Sequence, residues 1–248
     1  MTASRTLLRG GLVADGIGPA TVRADLLTEG KLIAWIGPDA AAVGASAGNC
    51  EVIDLEPGSV VLPGFIDAHV HAEGPLLADG VVEGALAQGV TTLVTGQDGQ
   101  SWIGATAATA RYLNQYFGPV NGRLEPARDF SVGDFGAAVA GRLVQNVAVL
   151  ASQGTIRHNV AGLAAGPLDR GQVAEARRQV EQALADGAVG LSSGLDYLPS
   201  RFGSVTEIAE MARPLASAGR PYVSHLRAYG AGVAAAIGEL AAVGQAAG

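Results

Sequence analysis

Lysine, cysteine and aromatic residues are scarce in this chain of 248 residues. Only Cys50 is a cysteine and only Lys31 is a lysine, while aromatic side chains make up 5%. A single thiol excludes an internal disulfide framework and favours a reducing compartment, so we expect a cytoplasmic protein. With one lysine and a formal net charge of −7, the chain has no basic patch for phosphates or anionic lipid headgroups. We therefore expect neither nucleic acid nor a membrane as a partner.

Long hydrophobic runs are also missing. The residues before Arg9 contain no sustained apolar core of the kind that a signal peptide needs. Glycine, proline and charged residues are expected to interrupt each apolar stretch before the roughly 18 residues that cross a bilayer. The hydrophobic content of 48% therefore predicts a sizeable buried core, in one large domain or two modest ones.

The first 56 residues predict a small β domain. Gly30 lies between two apolar runs, where its access to positive φ suits a tight hairpin turn. We expect this domain, residues 1–56, to be antiparallel and of β-sandwich type. Its strand candidates are 6–13, 22–28, 31–36 and 51–55.

From residue 57 onwards, short apolar runs alternate with longer alanine-rich segments, a pattern typical of βα repeats. The runs are apolar on both faces, as strands of a buried parallel sheet are. Glycines at the junctions predict left-handed helix ends before the next strand. The strand candidates are 60–66, 90–95, 146–151, 188–192 and 221–226, and the helix candidates are 134–145, 172–186, 205–218 and 231–247.

A complete (β/α)₈ barrel needs eight such units and about 250 residues of its own. Residues 57–248 supply about five units, so we predict an α/β fold with an incomplete TIM-type (β/α) barrel as the catalytic domain. An open parallel sheet exposes an apolar edge that invites aggregation or pairing. We therefore expect the chain to be a fragment or a truncated protein.

His69 and His71 end the segment 60–71, Val-Val-Leu-Pro-Gly-Phe-Ile-Asp-Ala-His-Val-His. Side chains at positions i and i+2 of a strand point to the same side, so the two imidazoles converge at the strand end. Zinc prefers nitrogen and oxygen ligands, and a catalytic zinc site keeps one position open for water. On its own, such a pair is more often two polar residues at a strand end. In this setting, the segment resembles the first barrel strand of the amidohydrolase superfamily, and the resemblance implies that both histidines bind metal.

Asp98 is the candidate for a ligand that bridges two metals. Many amidohydrolases use a carboxylated lysine on the fourth strand for this role, but the fourth strand candidate contains no lysine. The segment 90–99 is similar to the one that carries a metal-binding cysteine in N-acyl-D-amino-acid deacylases, with Asp98 in the cysteine's place. Residue type alone equally allows an ordinary turn aspartate. The resemblance therefore implies one or two divalent ions, zinc first among them, although a carboxylate is a harder ligand than a thiolate.

Two later segments, 187–199 and 222–227, are similar to the same deacylases and occur in the same order. The resemblance implies that His225, at the end of the fifth strand candidate, is a third imidazole ligand. Tyr197 lies in the loop after the fourth strand candidate, where active-site loops of such barrels gather, and is expected to contact substrate. Arg227 is a candidate for binding a substrate carboxylate, with a structural ion pair as its alternative. His158, expected in a loop, receives no role.

The resemblance implies a metal-dependent amidohydrolase that acts on a small N-acyl amino acid and is present here as the N-terminal portion of a deacylase. It also implies that the general-base aspartate lies beyond residue 248, so this chain holds no catalytic residue of that kind and is expected to be inactive alone. Cyclic amidohydrolases such as dihydroorotases or hydantoinases are an alternative. A barrel kept as a non-catalytic scaffold or binding module is another, and the sequence defines no oligomeric state.

Overall fold

The computed structural model describes residues 4–18, 20–45 and 50–248. The chain divides into two units, Met1–Gly64 and Phe65–Gly248. The sequence predicted the boundary after residue 56, a few residues before the observed one at Gly64. The first unit extends further because the strand Val60–Val61 pairs with the first strand of the chain.

The first unit is built on one mixed sheet, in the order β3-β2-β1-β4, with β5 also on β1. Short connections make β1, β2 and β3 antiparallel, and Gly30 at φ 60° forms the predicted hairpin turn. The longer segment 38–50 returns β4 parallel to β1, and β5 continues along the same edge. The expectation of a purely antiparallel, sandwich-type unit is therefore wrong for the described residues. The strands are β1 (Arg5–Val13), β2 (Val22–Glu29), β3 (Leu32–Gly37), β4 (Glu51–Asp54) and β5 (Val60–Val61).

The second unit contains two three-stranded sheets, β6-β7-β8 and β9-β10-β11, in which all pairs are parallel. Only Leu150 separates β8 from β9, so the strands follow one another in chain order. Among the described residues, the sheets do not close into a barrel. The strands are β6 (Phe65–Asp67), β7 (Val90–Thr95), β8 (Asn146–Val149), β9 (Ala151–Ser152), β10 (Leu191–Gly194) and β11 (Tyr222–His225).

The prediction of one continuous strand at 60–66 is wrong. It is divided by Pro63 and Gly64, so that β5 pairs with β1 while β6 pairs with β7. Proline lacks the amide hydrogen that a sheet ladder requires, which explains the break. The strand expected at 188–192 begins only at Leu191, whereas the strand at 90–95 is confirmed.

Helices connect these parallel strands. The helix predicted at 205–218 is confirmed, whereas the one predicted at 134–145 ends at Val139, shortly before Gly141 at φ 71°. The predicted left-handed helix ends are confirmed at Gly89, Gly187 and Gly219. The helices are α1 (Glu73–Ala78), α2 (Glu83–Leu86), α3 (Ala107–Tyr116), α4 (Gly118–Asn121), α5 (Val132–Val139), α6 (Gln153–Ala161), α7 (Arg170–Ala185), α8 (Val205–Ala218) and α9 (Val233–Ala247). Among the described residues, α1, α2, α3, α4 and α6 were not predicted, and three of these have only four to six residues.

The core of the second unit lies between the strands and helices and includes the fully buried Leu93, Val180 and Met211.

Helix α9 and the residues just before it form a long apolar segment. The segment Gly230–Ala247 is long and apolar enough to cross a bilayer by length and composition, which corrects the expectation that every apolar stretch is interrupted too early. A single such helix is weak evidence for a membrane protein.

Candidate metal centre

The carboxyl ends of three parallel strands bring three histidines around one carboxylate. His69 and His71 follow β6, Asp98 follows β7, and His225 is the last residue of β11. The Nε2 atoms of His69 and His71 lie 3.4 and 3.3 Å from the two carboxylate oxygens of Asp98, and His225 Nδ1 lies 3.7 Å from Oδ1. The structure thus brings together all four side chains that the sequence singled out as metal ligands.

The turn that carries Asp98 is held in an uncommon backbone conformation. Asp98 has φ 57°, the only positive φ among the described non-glycine residues. The Gln97 side chain donates hydrogen bonds to Ala68 O at 2.8 Å and to Val94 O at 3.0 Å, which ties the turn to the histidine segment. Ser192 on β10 accepts a hydrogen bond from the amide of Gly99. Hydrogen bonds to neighbouring segments therefore hold Asp98 in this conformation. Uncommon backbone conformations that are held by their surroundings cluster at functional sites.

Replacing Gly96 with alanine should destabilise the protein by about 3 kcal/mol or more. Gly96 has φ 80°, and a Cβ there would lie 2.2 Å from Leu150 O, a backbone atom that cannot move aside easily. Urea denaturation followed by circular dichroism measures the effect. Gly244→Ala is the matched control, because Gly244 lies in α9 with open space around its Cα, and alanine there should stabilise by up to about 1 kcal/mol. Equal effects of the two substitutions would contradict the expectation.

Asn121, which sequence reasoning missed, fixes the orientation of His71. Its Nδ2 donates to Gln100 O at 2.5 Å, so its Oδ1 is free to accept from His71 Nδ1 at 2.8 Å. A proton on Nδ1 leaves the Nε2 lone pair of the neutral ring directed toward Asp98. Metal-binding histidines commonly use such a partner to set the tautomer. The sequence around Asn121 gives no signal of this role, because a proline and a following glycine make it look like a turn residue.

The charges at the centre shift the pKa values of its groups. Burial raises the pKa of Asp98, but the hydrogen bond with His71 and the electrostatic attraction of the neighbouring histidine side chains outweigh it, so the pKa lies below its ordinary value. Burial lowers the pKa of His71, but Asp98, Glu73 and Asn121 together raise it above its ordinary value. Burial raises the pKa of Glu73, whose carboxylate accepts a hydrogen bond from the amide of Gly96. The arrangement therefore keeps Asp98 in its carboxylate form.

The donor set fits a divalent metal ion. Ligand atoms of His69, His71 and Asp98 all lie within 4.8 Å of one another. Asp98 Oδ1 is buried and has no hydrogen-bond partner, an arrangement that is costly unless another ligand satisfies the oxygen. Imidazole nitrogens with a carboxylate oxygen are a set that zinc prefers. Strand β10 contains no lysine, and Asp98 supplies the carboxylate that faces the three imidazoles.

The two expected substrate-binding residues have different surroundings. Tyr197 lies beside the centre, with its ring 4.7 Å from that of His225 between centroids. Arg227 instead forms a bidentate ion pair with Glu239 on α9, with nitrogen to oxygen distances of 2.8 to 3.0 Å. It also donates to Arg201 O and Gly203 O. Of the two roles considered for Arg227, substrate binding and a structural ion pair, the structure shows the ion pair. These contacts do not support substrate binding by this side chain.

His158 lies on helix α6 and not in the expected loop. Its Nδ1 is 2.8 Å from Thr109 Oγ1, and its ring stacks on Tyr112 with a centroid distance of 4.4 Å and an interplanar angle of 9°. Burial lowers the pKa of His158. These contacts belong to a polar and aromatic cluster on α3 and α6.

The chain is similar to known proteins over most of its length, although no family model matches it. D-aminoacylase of Alcaligenes xylosoxydans xylosoxydans is 33% identical over 240 residues, which make up 96% of this chain and 48% of the relative. A D-aminoacylase structure described with a binuclear metal centre has a TM-score of 0.85 and 30% identity, covering 98% of this chain and 49% of that protein.

A second solved structure is the N-acyl-D-glutamate deacylase of Bordetella bronchiseptica, complexed with zinc and a phosphonate inhibitor. It has a TM-score of 0.83 and 28% identity, and the match covers 98% of this chain and 49% of that protein. The chain thus spans about half the length of the proteins that it matches. By sequence and by fold, it is similar to about half of the length of D-aminoacylase and related amidohydrolases.

Proposed function

We propose that this chain forms the metal-binding part of a hydrolase that removes the acyl group from N-acyl-D-amino acids. The observation that carries the proposal is the buried Asp98 carboxylate, which faces three imidazoles and has one oxygen unsatisfied. The named activity of the relatives, D-aminoacylase and N-acyl-D-glutamate deacylase, supports the substrate class.

We further propose that the second unit is an incomplete (β/α) barrel of about five βα units. Parallel strands in chain order, joined by helices, support this, as does the structural match to about half of each amidohydrolase. The candidate ligands lie at the carboxyl ends of strands, where active sites of such barrels are found.

Each side chain of the proposed centre has a defined part. His69, His71, His225 and Asp98 would hold one or two divalent ions, and Asn121 keeps His71 in the tautomer that binds. A bound divalent ion supplies Lewis acidity, which activates water and polarises an amide carbonyl for hydrolysis. The rings of Tyr197 and Phe117, 5.2 Å apart between centroids, form an apolar wall beside His225. This wall would exclude water from one side of a small N-acyl amino acid.

Three measurements test the proposal. Metal analysis of the purified chain should find zinc in stoichiometric amount after loading, and its absence would favour the scaffold alternative. The full-length protein should hydrolyse N-acetyl-D-amino acids faster than their L-enantiomers and faster than hydantoin, whereas preferred turnover of hydantoin would favour a cyclic amidohydrolase. We expect the 248-residue chain alone to be inactive, and turnover near that of the full-length protein would refute this part.

Zinc binding should weaken on acidification, and the weakening should begin above pH 6.5. Zinc requires a neutral imidazole, and the pKa of His71 is raised, so protons compete with zinc at a higher pH than at an ordinary histidine. Below that pKa, we expect about a tenfold loss of affinity per pH unit for each proton displaced. Competition with a chromophoric chelator across a pH series measures this. Constant affinity down to about pH 5.5 would contradict it.

A further inference from the structure

The Leu198 peptide, next to Tyr197, is held by side chains from two other segments. Its carbonyl accepts hydrogen bonds from the Tyr112 hydroxyl at 2.9 Å and from Gln100 Nε2 at 3.2 Å. Its amide donates to the Tyr116 hydroxyl at 3.4 Å. Both backbone polar groups of this loop residue are therefore bonded to side chains, which is unusual for a loop that could bond to water instead.

The two tyrosines are themselves fixed in place on helix α3. Their rings stack with a centroid distance of 5.3 Å, and the ring of Tyr112 also stacks on that of His158. His158 is in turn hydrogen-bonded to Thr109, one helical turn before Tyr112. Aromatic side chains have few rotatable bonds, so a stack of this kind holds its hydroxyl groups at little further entropic cost.

The loop held in this way forms part of the proposed metal centre. Tyr197 packs its ring against His225 on one side and Phe117 on the other. Farther along the loop, Arg227 donates to the carbonyls of Arg201 and Gly203. Hydrogen bonds thus hold the loop at both ends. Tyr197 is the side chain by which the loop contacts a candidate ligand, His225.

We propose that Tyr112 and Tyr116 are positioning residues that hold the Leu198 peptide and thereby keep Tyr197 against His225. In the described structure, no hydrogen bond or ring contact joins either tyrosine to a candidate ligand, and their hydroxyl groups reach the centre through the loop. The inference rests on the proposed metal centre, because it assigns the loop to the wall of that centre. It predicts that loss of the two hydroxyl groups frees the loop while the rings stay stacked.

Hydrogen exchange of the purified chain, measured by mass spectrometry, tests the anchoring directly. Tyr112→Phe keeps the ring and removes the hydroxyl, so exchange at residues 197–203 should become roughly fivefold faster, and the double variant with Tyr116→Phe should exchange faster still. Tyr222→Phe is the matched control, because its hydroxyl is bonded to Ser193 and does not reach the loop. Unchanged exchange at 197–203 in the double variant, or an equal increase in Tyr222→Phe, would overturn the proposal.

A coupling measurement shows whether Tyr112 acts through Tyr197. Tyr112→Phe should lower the zinc affinity of the chain roughly fivefold, and this effect should vanish in a Tyr197→Ala background. An undiminished effect in that background would overturn the role through Tyr197. If the wild-type chain binds no zinc, the proposed centre fails, while the exchange measurement still decides whether the two tyrosines hold the loop.

Discussion

Replacing Asp98 with asparagine should lower the zinc affinity of the chain by at least about 100-fold. Loss of a partner that only supports a metal ligand commonly costs 10- to 100-fold, so loss of the central carboxylate should cost no less. Asparagine tolerates the left-handed backbone that Asp98 adopts at φ 57°, so the substitution removes the charge without straining the turn. Isothermal titration with zinc, or competition with a chelator, measures the affinity.

A control separates ligand loss from a general effect of charge. Asp79→Asn removes the same charge from an exposed residue at the end of α1, and it should change the zinc affinity by less than about twofold. Urea denaturation of the zinc-free proteins shows whether both variants fold. Retention of wild-type affinity by folded Asp98→Asn would show that the carboxylate is a turn residue and not a ligand.

Replacing Glu207 with glutamine should destabilise the protein by about 3–5 kcal/mol, because it leaves a buried arginine without its counter-charge. The side chains of Arg157 and Glu207 are 0% and 3% exposed, with Nε to Oε1 at 2.9 Å. Arg157 also donates to Ala164 O and Gly166 O, while Glu207 accepts from the amide of Leu168. The pair therefore joins α6, α8 and the segment before α7.

Glu210 on the same helix supplies the control for this prediction. It pairs with Arg213 at 2.9 Å near the surface, so Glu210→Gln should cost less than about 1 kcal/mol. Chemical denaturation measures both variants. If Glu207→Gln does not fold, the double variant Arg157→Met/Glu207→Leu should recover much of the stability, since it removes both charges. A cost for Glu207→Gln as small as that for Glu210→Gln would contradict the argument.

Local sequence signals sufficed for several elements of the fold. The apolar run of β7 and the amphipathic pattern of α8 each lie within one short segment, and both were predicted with the observed bounds. The i, i+2 spacing of His69 and His71 is local, but their assignment as metal ligands also needed the resemblance to a family. Asp98 and His225 needed the resemblance to a family, since residue type alone suits an ordinary turn or strand end.

The contacts that complete the centre could not be predicted, because they join residues far apart in sequence. Asn121 meets His71 across 50 positions, and Tyr112 meets Leu198 across 86. The break at Pro63 could not be predicted for the same reason. Strand β5 pairs with β1 of the first unit and β6 pairs with β7 of the second, and both pairings join distant residues. Pairings of this kind depend on which elements the fold brings together.

The sequence by itself determined the α/β character, the hairpin at Gly30 and the histidine pair, because each depends on residues that are neighbours along the chain. Only the tertiary structure decided that Asp98 lies among three imidazoles. It also decided that Arg227 pairs with Glu239. These outcomes depend on the positions of β6, β7, β11 and α9, which packing sets and no local pattern encodes.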